Sequence, residues 1–302
     1  MRVLVTGGCG FIGLNLVDYL SRVSDLEIRV LDRSDERRKY LNPEAEFIKG
    51  DIRDGPTVRK ALSGCDFVVN LAAETGVIPS IQDPLRDAEV NVLGTLNLLY
   101  ESRNSVERFI HASSAAPLGE HKPPLHEGLL PRPLSPYGAG KLAGEGYCYA
   151  FNASYGLKTI CLRFSNVYGP HSLHKMSAVH LFIRKALKGE PVTVYGDGKQ
   201  SRDLVYVQDI CQAIHKSILG DSTGLYHVGT GKQTSLLELL GLIGELTGKK
   251  IEIDYKPERK GEIKVNYCSI DKAGSELDYS PKYSLRKGLE ETIKWYEEMK
   301  GC

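Results

Sequence analysis

Three side chains in the middle of the chain carry groups that can hold and move a proton: Ser114, Tyr137 and Lys141. In "SPYGAGKLAGEGY" (135–147) the tyrosine and the lysine stand four positions apart, so a helix places both on one face. A phenol of ordinary pKa near ~10 must come down to about 7 to act as a base at neutral pH, a change of ~4 kcal/mol. One positive charge ~5 Å away supplies roughly 3 kcal/mol at an effective dielectric of about 20. An ammonium one helical turn away, joined by a second cation, can therefore activate the phenol. The same spacing occurs on any helix surface, so the reading depends on what the rest of the chain brings to that face.

The N-terminus brings a phosphate cradle. "TGGCGFIG" sets Gly7, Gly10 and Gly13 as G-x-x-G-x-x-G between a β-branched run, "RVLVT" (2–6), and a helical pattern, "FIGLNLVDYLSRV". In such a loop the first glycine allows a tight turn, the second admits a pyrophosphate to the backbone, and the third packs helix on strand. The helix N-terminus adds about half a positive charge. Phe11 and Ile12, between the last two glycines, belong to the same contact. Asp32 ends the next strand-like run, "EIRVLD", 19 residues beyond Gly13. That is close to the ~20-residue offset of the acid that accepts hydrogen bonds from an NAD ribose. A carboxylate there repels a 2′-phosphate, which favours NAD over NADP; Arg33, Arg37 and Arg38 follow closely and offer a phosphate alternative partners. In "GDIRD", Asp51 and Ile52 stand where an adenine edge meets a carboxylate and a backbone N–H, although the stretch reads equally well as a turn. In "NLAAE", Leu71, Ala72 and Ala73 provide the small surface a backbone needs when it runs beside a cofactor.

These groups require a scaffold that gathers strand ends. Runs at 2–6, 27–32, 45–51, 66–73 and 107–114 read as strands alternating with helices, one of them over 84–104. The pattern predicts an α/β fold of the Rossmann type, a doubly wound parallel sheet. Ligands of such sheets bind outside the carboxyl ends of the strands, where Ser113 and Ser114 also fall. Residues 115–136 contain six prolines, a long structureless stretch of the kind that forms a lid or part of a site. A helix over 136–155 carries Tyr137 and Lys141, and "LKTICLRFSNVYG" (157–169) is a further strand. Helices near 177–188, 207–219, 234–246 and at the C-terminus, with strands "PVTVYG" and "GLYHVG", make a second lobe. We expect a dinucleotide-binding domain over 1–170, partly rejoined by later chain, and a substrate-binding α/β lobe over 171–302.

Composition closes off other classes. A net charge of +1 over 302 residues provides no field for nucleic acid or an anionic membrane. Seven cysteines with no Cys-x-x-Cys spacing, and eight histidines not clustered with them, suggest neither a disulfide framework nor a metal site. No apolar run approaches the ~18 residues of a membrane span, and "MRVLVTGG" turns to glycine too soon for a secretion signal. A cytoplasmic location is expected.

The order of serine, tyrosine and lysine after an N-terminal dinucleotide loop resembles the short-chain dehydrogenase/reductase superfamily. "TGGCGFIG", "NLAAETGVIPSIQDP", "NVLGTLNLL", "RFSNVYGP", "GDGKQSRDLVYVQDI", "YHVGTG" and "RKGEIKVNYCSIDKA" are similar, in order, to segments of its extended branch, the NAD-dependent epimerase/dehydratase family.

The resemblance implies bound NAD, a nucleotide-sugar substrate, and a homodimer paired through helices near 84–104 and 136–155. It implies Tyr137 as base, Lys141 on the nicotinamide ribose, Ser114 on the reacting sugar oxygen with Ser113 as a secondary candidate, Phe164 facing the nicotinamide and Asn91 as a polar anchor for the cofactor, where an ordinary helix asparagine reads nearly as well. It carries Asn166, Arg202 and Arg259 over as diphosphate ligands, Val194 and Tyr195 as the base pocket, and Asn266 as a residue near the sugar's C2 substituent. The family's dehydratases have two acids after the serine, where this chain has Ala115 and Ala116. The implied reaction is therefore 4-epimerisation of a UDP-sugar, most simply UDP-glucose and UDP-galactose. A UDP-glucuronate epimerase or decarboxylase, a nucleotide-sugar reductase and a non-catalytic nucleotide sensor are the alternatives. The chain departs from the family at Pro117 and Leu118, at Gly140, where serine is common, and at Asn70, where histidine is common.

Overall fold

The computed structural model describes residues 1–258 and 263–299. Seven strands form one sheet: β1 (Arg2–Thr6), β2 (Glu27–Asp32), β3 (Glu46–Lys49), β4 (Phe67–Asn70), β5 (Arg108–Ser114), β6 (Lys158–Phe164) and β7 (Gly224–Val228). Their order is β7-β6-β5-β4-β1-β2-β3, and every neighbouring pair is parallel. Chain order reverses between β1 and β4, and a crevice opens there at the carboxyl ends of the strands. Alternation along β1 sends Val3 and Val5 into the core on one face and Leu4 into the core on the other. Helices Gly55–Leu62, Thr95–Ser102 and Pro136–Tyr155 supply buried residues to the Leu4 side. Helices Phe11–Val23 and Val207–Leu219 and the second lobe cover the other.

The second lobe is assembled from short pairings. Asn166–Tyr168 runs parallel to Leu204–Tyr206, and Val192–Tyr195 runs parallel to Ile253–Lys256. Ser201–Arg202 lies between Thr234–Ser235 and Val265–Asn266. These pairings bring residues far apart in sequence to one side of the crevice. No helix among the described residues is long and apolar enough to cross a membrane.

Two expectations are revised. The helix expected over 84–104 is interrupted: Pro84–Ala88 leads into a π-helical stretch, Glu89–Gly94, before Thr95–Ser102. A Cβ at Gly94 would lie 2.7 Å from Ile52 Cδ1, so the widened turn sits directly against the strand-end loop. The proline-rich stretch is not free to act as a lid. The Leu125 N–H donates to Tyr267 O (2.9 Å), and Leu125 O accepts from the Ser269 N–H (2.8 Å). Leu118 and Leu125 are buried against Cys268, and Glu127 Oε1 accepts from the His227 N–H (2.8 Å). The loop is thereby bolted to both the second lobe and β7.

The helix Pro136–Tyr155 begins at Ser135, whose hydroxyl accepts from the Gly138 N–H (3.2 Å), and ends at Gly156 in the left-handed region (φ +70°). It lies very close to β5. A Cβ on Gly144 would fall 2.6 Å from Nε2 of His111, which is buried in the strand and has no room to yield. In an open helix Gly→Ala stabilises by about 1 kcal/mol. At this position Gly144→Ala is expected to destabilise by about 1–3 kcal/mol through overpacking. Thermal unfolding checks the sign: a lowered Tm is the predicted result, and an unchanged or raised Tm contradicts the close packing.

Candidate active site

Two adjoining cavities, of about 520 and 490 Å³, lie at the carboxyl ends of the strands. The larger is built on the glycine loop. Gly7 adopts φ +68°, and a Cβ there would stand 2.8 Å from the Ala72 nitrogen, so only glycine allows the strand-end backbone to pass. A Cβ on Gly13 would stand 2.4 Å from Gly7 O, which keeps helix and turn together. The Gly10 N–H donates to Gly7 O (2.9 Å). Helix Phe11–Val23 starts at Gly10 without a side-chain cap, leaving its first N–H groups to a ligand. This cradle fits a dinucleotide diphosphate.

The remaining wall of the larger cavity follows the motifs closely. Gly7, Gly10, Phe11, Ile12 and Gly13 line it, as do Asp32, Asp51 and Ile52, then Leu71, Ala72 and Ala73, and finally Tyr137, Lys141 and Phe164. Asp32 is locked in place, its carboxylate accepting from the Cys9 N–H (2.9 Å) and the Ser34 N–H (3.0 Å). Of the three arginines that follow it, Arg33 and Arg37 also line this cavity, and each of the three has a partner within the protein. Arg33 pairs with Glu74 (2.8 Å), Arg37 donates to His171 O (2.5 Å), and the Arg38 guanidinium lies 4.8 Å from the centre of the Phe47 ring. The Asp51 carboxylate accepts from Arg53, whose hydrogen bond holds it below the usual carboxylate range.

Asn91 stands apart from this wall. It is buried and lines neither cavity. Its Oδ1 accepts from the Glu74 N–H (3.0 Å), and its Nδ2 donates to Glu74 O (3.0 Å) and to Asp87 Oδ2 (2.9 Å). The structure thus makes it a brace behind the cofactor wall, where a direct cofactor contact was expected.

Tyr137 stands at the junction and lines both cavities. Lys141 faces only the larger one and Ser114 only the smaller. The Ser114 hydroxyl accepts from the Ala116 N–H (3.2 Å) and acts on the phenol beside it. Lys141 Nζ lies 5.9 Å from the centre of the Tyr137 ring and donates to Ala112 O (2.8 Å). Burial pushes the phenol up to about 12; the Ser114 hydroxyl opposes this and Asp87 adds to it. Burial brings Lys141 down to about 8, against the upward pull of Asp87 and Glu145. With the protein's groups alone, Lys141 is charged only below about 8, while the phenol keeps its proton well above neutrality. The phenolate held by its lysine, expected from spacing, is therefore not a property of this pair by itself. Buried His111, beside it on β5, is held neutral by burial and then by Lys141.

The smaller cavity receives Ser113, Ser114, Phe164, Asn166 and Arg202. The Ser113 hydroxyl is turned into the protein, donating to Glu145 Oε1 (2.5 Å). That carboxylate is itself gripped by Arg163 (2.7 and 2.8 Å). Val194 does not reach the cavity: it is 1 % exposed and belongs to the core. Tyr195 and Asn266 also lie off both linings, and Arg259 lies outside the described residues. Residues that sequence reasoning did not assign complete the site. Leu204, Leu236 and Leu239 form an apolar wall, and Lys175 and Thr75 stand where the two cavities meet, joined by a hydrogen bond of 3.4 Å. Thr75 follows directly on the "NLAAE" run and was within reach of that motif. The leucines carry no local signal. No residue of 115–135 lines either cavity.

Residues 3–229 match the model of the NAD dependent epimerase/dehydratase family. A putative UDP-glucose 4-epimerase of Methanocaldococcus jannaschii is 37% identical over 300 residues, 97% of each chain. The structure of UDP-glucose 4-epimerase from Thermotoga maritima, with UDP-glucose, superposes with a TM-score of 0.94 at 35% identity, covering 99% of both chains. That of the Thermus thermophilus UDP-glucose 4-epimerase, in complex with NAD, gives 0.91 at 37% identity over 98% of this chain and 99% of the other. The chain belongs to the NAD-dependent epimerase/dehydratase family, enzymes of nucleotide-sugar chemistry with NAD as cofactor.

Proposed function

We propose that this chain is a UDP-sugar 4-epimerase acting on UDP-glucose and UDP-galactose or their N-acetyl forms. The observation that carries the reading is the chemistry of the smaller cavity. Tyr137 and Ser114 face it, and no Asp, Glu or His is among the described residues that line it. Eliminating water from the sugar would need an acid and a base beyond the group that serves the 4-hydroxyl, and Ala115 and Ala116 stand where such acids would be. Epimerisation at C4 needs only one proton carrier, because the proton taken from the 4-hydroxyl is later returned to it.

Tyr137 takes that proton and gives it back, and Ser114 fixes the sugar oxygen against the phenol. Arg202 and Asn166, with Arg259, hold the diphosphate, since a guanidinium can bind two phosphate oxygens at once. Leu204, Leu236 and Leu239 pack against the base in place of Val194. Bound NAD supplies the acceptor for the C4 hydride, the donor that returns it to the opposite face, and a positive ring charge beside the phenol. The glycine cradle, Asp32 and Lys141 hold it. Bringing Tyr137 from about 12 to neutrality takes roughly 7 kcal/mol. A charged Lys141, its Nζ 5.9 Å from the centre of the phenol ring, contributes about 3 kcal/mol at an effective dielectric of about 20, so the lysine does not suffice without the cofactor's charge.

Lys175 favours UDP-glucuronate as a second reading. It lines the sugar side near Tyr137 and, among the described residues, makes no ion pair, so a uronate carboxylate would give it one. We also propose a homodimer in the cytoplasm. Leu85, Leu93, Tyr100, Tyr149 and Tyr155 are exposed on the two helical segments expected to pair. The six described cysteines are all free and buried, as a reducing compartment permits.

Incubation with UDP-glucose, UDP-galactose, their N-acetyl forms and UDP-glucuronate, followed by separation of products, tests the substrate. Interconversion of 4-epimers with no net consumption of NAD is expected, and Tyr137→Phe should lower kcat by at least ~100-fold while NAD stays bound. Release of a dehydrated 4-keto sugar, or stoichiometric use of NAD, would contradict the reading. Sedimentation should show a dimer that Leu93→Asp with Tyr149→Asp converts to a monomer; a monomeric parent protein would refute the pairing.

A further inference from the structure

A carboxylate that the proton-transfer scheme does not use lies behind the site. Asp87 is 3 % exposed. One of its oxygens accepts from Asn91 Nδ2 (2.9 Å), while the other, Oδ1, is buried with no hydrogen-bond partner among the described residues. Oδ1 faces the helix Pro136–Tyr155 at Gly140, the residue just before Lys141, where a Cβ would sit 3.2 Å away. That is the position where the family commonly has serine, and here glycine leaves the oxygen bare. An orphaned, buried carboxylate oxygen is costly and is kept only where its charge or its position is of use.

The surroundings of Lys141 show what that use is. The lysine donates to Ala112 O from β5, and His111 on the same strand is neutral. On its own helix, Glu145 lies one turn later, but both of its oxygens are taken by Arg163 of β6 and by Ser113, so its charge is matched. Tyr137 is one turn earlier. Asp87, from the helix Pro84–Ala88, has no cation bonded to it; burial pushes its carboxyl up, Asn91 and Lys141 draw it back down, and Glu74, which adds to the rise, is tied to Arg33 and Arg86. We propose that Asp87 is the buried counter-charge that keeps Lys141 protonated during turnover, a positioning residue that reaches Tyr137 through the lysine. The proposal rests on the reading of Tyr137 and Lys141 as the proton-handling pair. Its support is the buried Oδ1, unpartnered among the described residues and set against the helix turn that carries Lys141; the direction agrees, since Asp87 stands ahead of Glu145 among the groups that raise the lysine against burial. The sign follows directly: Lys141 is charged below about 8 and neutral above it, so loss of Asp87 must move that boundary down, toward the working pH.

The test uses the NAD-bound protein with its lysines labelled with ¹³C at Cε, the Lys141 signal being the one lost in Lys141→Arg. In a second sample with aspartate labelled with ¹³C at Cγ, the Asp87 signal being the one lost in Asp87→Asn, that carboxyl carbon should report an ionised group through neutrality and a second inflection where Lys141 titrates. A carboxyl that stays protonated to pH 8 would overturn the proposal without any substitution. In Asp87→Asn the Lys141 midpoint should fall by at least about one pH unit, a tenfold change in proton affinity, and in Glu145→Gln by less. The alkaline fall in kcat should move down with it in Asp87→Asn, with KM changed less than about twofold, and Asp87→Glu should return the midpoint toward that of the parent. A midpoint unmoved by Asp87→Asn, or moved further by Glu145→Gln, would refute the role. The titrations need no substrate, so their outcome is separate from that of the epimerase assay.

Discussion

Burial at the junction of the two cavities raises the proton affinity of Tyr137 and lowers that of Lys141, the reverse of the order an acid–base pair needs. Everything else about the site bears on this inversion. A dry junction strengthens each electrostatic contact made inside it, and it also penalises each uncompensated charge. On the proposed reading, the pair needs a cation against the phenol and an anion behind the lysine. The first is what bound NAD supplies. The second is the task assigned above to Asp87.

The scaffold serves the junction by removing side chains. Gly7 lets Ala72 approach, Gly13 closes the turn, and Gly144 lets the tyrosine helix settle on His111. Together they bring the N-terminus of one helix, the ends of β1, β4, β5 and β6 and the face of another helix to one place. The loop 115–135, fastened through Leu125 and Glu127, contributes rigidity behind the site and no surface within it. The cavity on the sugar side depends on lobe segments that meet only through tertiary pairing, such as Leu204–Tyr206 beside Asn166–Tyr168.

That division explains how far the sequence could be read. On the cofactor side the contacts are local: Gly7 to Gly13, Asp32, Asp51 and the Leu71–Ala73 run each follow directly on a strand, so motif and strand end coincide. The parallel sheet was legible for the same reason, from β-branched runs alternating with helical ones. On the sugar side the register is non-local, and Leu236 and Leu239 carry no local mark. Val194 was misplaced although its own strand shows why it is inside: in "VTVY" the alternation puts Val192 and Val194 on the core face. Asn91 was taken for a cofactor contact because the Glu74 backbone, which it brackets, is 17 residues away in sequence; its Nδ2 is shared between that backbone and the Asp87 carboxylate one turn earlier. The proton affinities lay further still from view, since spacing shows that Tyr137 and Lys141 share a face but says nothing of how dry that face is.

The central claim is that the cofactor's charge, acting with a protonated Lys141, brings the Tyr137 phenol into the neutral range. An ultraviolet difference titration of tyrosinate, parent protein minus Tyr137→Phe, measures this directly with NAD bound and with NAD removed. The account predicts a midpoint near neutrality in the NAD-bound protein and one above about 10 without NAD. Midpoints that coincide in the two forms would contradict it.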